Sequence, residues 1–166
     1  MQLKSIKKII TKKLNEWLLS IDDIKLREKV RKNILLSGGA ITSLLQQQEV
    51  NDYDIYLKDM DVLLELTKYY TQGIREVEIL DGRNKEQYNE YLKSREGMFD
   101  GDGDLAQRSV AYRTLKPDQI KLYLPTGGVK VDNDEATPYQ VEFLSPNAIS
   151  LSDNIQIVIR FHGDNE

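Results

Sequence analysis

The sequence predicts an α+β fold, a small mixed sheet flanked by helices. Three observations carry that prediction. Two amphipathic helical stretches fill the first 33 residues. A short apolar run, two glycines and a helical stretch then lead into the alternating Asp52-Tyr53-Asp54-Ile55-Tyr56-Leu57. From residue 119 onward the chain is rich in β-branched and aromatic residues, punctuated by Pro, Gly and Asn. At 166 residues, 40% hydrophobic and 30% charged, the chain reads as one domain with a real core. We divide it into N-terminal helices (1–33), a glycine-turn and carboxylate core (34–80), an insertion (81–118) and a strand-rich part (119–166).

Residues 2–19 place Leu3, Ile6, Ile9, Ile10, Leu14, Trp17 and Leu18 at helical spacing, with Lys4, Lys7, Lys8, Lys12 and Lys13 on the remaining surface. A packed amphipathic helix with solvated lysines is the expectation; a basic helix that touches nucleic acid or an acidic partner is the alternative. Asp22 or Asp23 is placed to cap a second helix running to about Lys32, with Ile24, Leu26 and Val30 for the core. Together the two helices hold nearly half of the 23 basic residues, and the remainder is correspondingly acidic.

Ile34, Leu35 and Leu36 read as a buried strand, Ser37-Gly38-Gly39 as a tight turn, and residues 40–48 as a short helix. A strand entering a helix through such a turn presents unpaired N–H groups and a positive dipole end, a seat for phosphate. In the following strand, a period of two puts Asp52 and Asp54 on one face and Tyr53 and Ile55 on the other. Side-by-side carboxylates repel, a divalent cation relieves the repulsion, and oxygen-only ligands favour magnesium or manganese. A helix from Asp59 or Asp61 to near Gly73 and a strand over 74–80 should follow.

Residues 81–118 are the least regular, with a polar helix over 85–93 and a mobile acidic loop at Asp100-Gly101-Asp102-Gly103-Asp104. Leu105 and Ala111 stand where a calcium loop needs Gly and a carboxylate, so the loop is not read as a calcium site. Strands are expected over 119–124, 128–132, 139–144 and 154–161, with Thr126-Gly127-Gly128 as a hairpin turn.

Composition narrows the chemistry. The net charge of −4 argues against whole-surface affinity for nucleic acid. With no cysteine and His162 as the one histidine, disulfides, thiolate metal sites, zinc sites and Ser or Cys triads are excluded or nearly so. No apolar run reaches membrane-spanning length and the basic N-terminus lacks a signal-peptide core, so no membrane partner is expected and a cytoplasmic location is the default.

The order Ser-Gly-Gly, short helix, Asp-x-Asp, apolar residue resembles the nucleotidyltransferase superfamily of the polymerase-beta type over roughly residues 34–72. The Gly-Gly-Ala and Asn-Asp-Tyr-Asp-Ile-Tyr wording is similar to nucleotidyltransferase-like proteins of bacteriophages. That resemblance implies a nucleotidyltransferase-like sheet and metal-dependent transfer of a nucleotide from a nucleoside triphosphate to a protein, nucleic-acid or small-molecule acceptor. Asp52 and Asp54 would hold Mg2+ or Mn2+, while Ser37, Gly38 and Gly39 would hold the β- and γ-phosphates. The third catalytic carboxylate would come from a later strand in an apolar–acid–apolar setting. Glu142, between Val141 and Phe143, is the best match; Asp132 is second. Tyr53, Tyr56 and Arg75 are base-binding candidates by proximity alone; Arg160 and His162 alternate on the last strand, where they either face the site or, as we expect, lie on a solvated edge.

Two further functions stay open at this point. One is a catalytically inactive module of the same fold, acting as a phage structural or host-interaction protein in the host cytoplasm or the virion. The other is a nucleic-acid-binding module using residues 4–32.

Overall fold

The computed structural model describes residues 3–36, 38–48, 52–94, 104–132 and 139–159. Helix α1 (Leu3–Leu19) buries Ile6, Trp17 and Leu18. The Trp17 indole Nε1 donates to the Tyr70 hydroxyl at 2.8 Å, fastening α1 to α4 (Met60–Thr71). The turn after α1 is closed from outside: the Arg27 guanidinium donates to the Ile21 carbonyl at 2.8 and 3.1 Å. Of the two candidate caps for α2 (Ile24–Asn33), Asp23 takes the role, its Oδ1 accepting from the Leu26 N–H at 3.1 Å. Asp59 does the same for α4, accepting from Val62 at 3.0 Å. Gly73 follows α4 at φ +80°, where a side chain would be strained.

Helix α2 runs directly into β1 (Ile34–Leu36), an edge strand. Next come α3 (Gly38–Leu45) and β2 (Tyr53–Leu57); after α4 the chain forms β3 (Glu78–Asp81), a single 3₁₀ turn (Gly82–Asn84), α5 (Lys85–Ser94), α6 (Asp104–Arg113) and β4 (Ile120–Tyr123). The strands β5 (Val129–Lys130), β6 (Val141–Ser145), β7 (Ala148–Leu151) and β8 (Ile155–Val158) complete it. The larger sheet has the order β1-β2-β8-β7-β6-β5; β2 and β8 are parallel and the other pairs antiparallel.

Alternation is strict in β2, β7 and β8. Tyr53, Ile55, Leu57, Ile149, Leu151, Ile155 and Ile157 are buried on one face against the helices, while Asp54, Tyr56, Ser150 and Gln156 are only partly covered on the other. The mixed α+β architecture expected from the sequence is therefore present.

Several expectations fail, each for a local reason. The strand over 74–80 shrinks to β3, because residues 74–77 form a turn and only residues 78–81 find a partner, in β4. Thr126-Gly127-Gly128 is a turn, with the Gly127 N–H bonded to the Leu124 carbonyl at 2.9 Å. It is no hairpin, since β4 pairs with β3 and β5 with β6. Gly38 and Gly39 lie inside the first turn of α3 rather than before it. Strand β7 hides between Pro146-Asn147 and the left-handed Asp153 and Asn154 (φ +58° and +69°).

The insertion is structured where it is described. Helices α5 and α6 pack on the back of β3 and β4 around Leu80, Leu92, Tyr112, Leu115 and Tyr123, a second core. The acidic run from Asp100 to Gly103 lies outside the described residues, and Asp104 opens α6.

Candidate functional site

The structure brings part of the predicted site together. Strand β1 runs antiparallel to β2 with Leu36 opposite Ile55, so the chain leaves β1 at the Tyr53 end of β2. The first turn of α3, with Gly38 and Gly39, consequently stands at the same end of the sheet as Asp52 and Asp54. Ser37 and Asn51 lie outside the described residues. Asp52 is exposed at the mouth of β2, and Asp54 is half-buried on the open face. Burial, and after it the charge of Asp52, raises the Asp54 carboxyl above its ordinary value. The smaller of the two causes, the Asp52 charge, is the repulsion that the alternation predicts.

Glu142 does not join them. Strands β8 and β7 separate β6 from β2, and three inter-strand steps amount to roughly 14 Å. A register shift between Val141 and Phe143 falls on Glu142 itself, which is exposed. Asp132 follows the edge strand β5 and is farther still across the sheet. The residue that β8 sets beside Asp54 is Gln156, between Ile155 and Ile157. Its setting matches the one sought for a third carboxylate, with an amide in place of the acid. The cue was the apolar–polar–apolar triplet, which a search for acids alone passes over. Among the described residues no group of three or more acidic or histidine side chains could gather around a metal ion.

A second set of residues, invisible in the sequence, joins α1 to this end of the sheet. Lys13 Nζ donates to the Asp153 carbonyl and stands 5.7 Å from the ring centroid of Tyr53 and 5.1 Å from that of Tyr139. The Tyr139 hydroxyl donates to Glu16 Oε2 at 3.4 Å. Burial, followed by the Glu16 and Asp153 charges, pushes the Tyr139 phenol up to about 12. Burial also raises the Tyr53 phenol. Tyr53 therefore belongs to the buried face, Tyr56 to the open face, and Arg75 to an exposed turn. Arg160 and His162 are outside the described residues.

No described helix is long and apolar enough to cross a membrane. No curated protein matches the chain, and no solved structure does. A family model described as "Gad2: Gabija anti-defense 2 family protein" matches residues 8–166. This finding overturns the resemblance to the nucleotidyltransferases and, with it, nucleotidyl transfer as the function. The resemblance rested on Gly-Gly and Asp-x-Asp, short patterns that any strand–helix–strand unit with a polar sheet face can generate. Nearly the whole chain is accounted for by the other family: it belongs to the Gabija anti-defense 2 family.

Proposed function

We propose that this protein is phage-encoded and counteracts a Gabija defence inside the host cell through contact with a host defence protein. The match over residues 8–166 carries the reading. The exposed α1 surface and the partly open sheet face give it room to bind a macromolecule. The test is the plating efficiency of a Gabija-sensitive phage on cells that carry Gabija, with and without this chain. Restored plating, by about tenfold or more, is expected. Unchanged plating, with the chain shown to be expressed and folded, would overturn the reading.

A cation at the sheet mouth is a second and separate proposal. Asp52, Asp54 and the Gln156 amide oxygen offer hard oxygen ligands of the kind magnesium or manganese prefers, with Gln156 set beside Asp54 by the β2–β8 register. The expected result is a rise in unfolding temperature with either ion in the native chain, lost in Asp52→Ala/Asp54→Ala. Equal responses in both chains would rule the ion out.

A further inference from the structure

Charge is divided unevenly along this chain. Up to Lys32 there are ten basic and four acidic residues; beyond it there are thirteen and twenty-three. Several of the early cations serve the fold itself. Lys13 and Arg27 bond to carbonyls as described, Lys29 pairs with Glu65 at 3.0 Å, and Arg31 reaches Glu28 at 3.5 Å and Asn15 at 3.2 Å.

Lys4, Lys7, Lys8 and Lys12 are different. They stand exposed along one stripe of α1 and line an open groove that continues past Thr11 and Asn15 to Leu19. Among the described residues, no ion pair or hydrogen bond engages any of the four. The arrangement works against the helix. Lys4–Lys8 and Lys8–Lys12 are like charges at i,i+4, and Lys4–Lys7 at i,i+3. Lys4 sits in the first turn, where the helix dipole disfavours a cation, and that turn holds no acidic residue. Glu16, which also lines the groove, accepts from the Tyr139 hydroxyl. The helix is nevertheless held firmly by its opposite side, through Trp17 and Tyr70.

The ends of the stripe are apolar. Leu3 is 61% exposed and Leu19 is 64% exposed, about 24 Å apart along the helix, and Ile24 beyond the turn is 66% exposed. Exposed aliphatic side chains flanking the lysines suit a protein surface; a phosphate backbone makes no use of them.

We infer that this face of α1 is the surface by which the chain docks on the defence protein, and that the partner offers an acidic strip with apolar patches at its ends. The lysines would steer and orient the encounter, while Leu3, Leu19 and Ile24 would supply the desolvated contacts. The inference rests on the anti-defence reading above.

The test uses the full chain and purified Gabija proteins, with binding measured at low and high salt. The variants are Lys4→Glu/Lys8→Glu/Lys12→Glu and, separately, Leu19→Asp; all these positions are exposed, and circular dichroism checks that each variant folds. Native binding that weakens with salt and falls about tenfold or more in both variants is expected. Binding equal to native in the charge-reversed variant would overturn the assignment of the surface. So would stripe-dependent binding to a DNA duplex without binding to the Gabija proteins. Plating separates the two claims: failure of the native chain to protect phage overturns the anti-defence reading, whereas undiminished protection by the charge-reversed variant overturns the docking surface alone.

Discussion

Two aspartates in similar strand settings behave in opposite ways, and the difference is testable. Burial pushes the Asp81 carboxyl up, but hydrogen bonds from the Arg83 side chain and backbone outweigh it and leave the group below its ordinary 3.8. A lowered folded value means stability that is present above 3.8 and lost as pH falls through the folded value. The stability advantage of the native chain over Asp81→Asn should therefore be constant at neutral pH and vanish on acidification below that value, as followed by urea unfolding at a series of pH values. Asp54 has the reverse sign. Its raised carboxyl favours the protonated folded state, so its charge is a burden at neutral pH. In a chelating buffer Asp54→Asn should stabilise the protein by up to about 0.5 kcal/mol, on the scale of exposed charge interactions. Trp17 is fully buried and its indole N–H reaches the Tyr70 hydroxyl. Tyr70→Phe leaves that N–H unpaired and should cost about 2 kcal/mol, read as a lower urea midpoint with an unchanged slope.

At the scale of elements, the 3₁₀ turn between β3 and α5 is a tight joint. A Cβ on Gly82 would stand 1.9 Å from the Lys116 carbonyl oxygen, which is backbone. Gly82→Ala should destabilise by about 3 kcal/mol, the upper end of overpacking, and its signature should be early loss of protection in β3, β4, α5 and α6 by hydrogen exchange. The same region shows where sequence reading ran out. The helices α1, α2 and α4 were legible because their apolar spacing and caps are local properties of Ile6, Trp17, Asp23 and Asp59. Helix α6 was not, because Asp104 to Arg113 has a weak apolar face and gains its place from Tyr112 and Leu115 meeting Leu80, a contact between distant segments. Thr126-Gly127-Gly128 was read correctly as a turn and wrongly as a hairpin, since turn chemistry does not say which sheet the next strand joins.

For the whole molecule, the candidate site was legible in its parts and not in its assembly. Asp52, Asp54, Gly38 and Gly39 do gather at one end of the sheet. Strand order decides the rest: it carries Glu142 away and brings Gln156 in, and no local pattern encodes strand order. The family likewise could not be reached from those residues, because the alternating carboxylates and the glycine pair describe a kind of local geometry that unrelated chains share.

The parallel pairing of Tyr53 with Ile155 sets a schedule for making this protein. The strand that completes β2 lies about a hundred residues farther along the chain. At roughly 5–20 residues per second, a ribosome leaves β2 with one open edge for several seconds. During that interval Tyr53, Ile55 and Leu57 have their buried side facing helices α3 and α4 but no neighbour on the β8 side. Assembly of the sheet must wait until β8 has been made, and contacts so distant in sequence slow folding. A chain released after Leu151 should accordingly fail to reach the native state, giving aggregation and no cooperative thermal transition, even though all six described α-helices have been made.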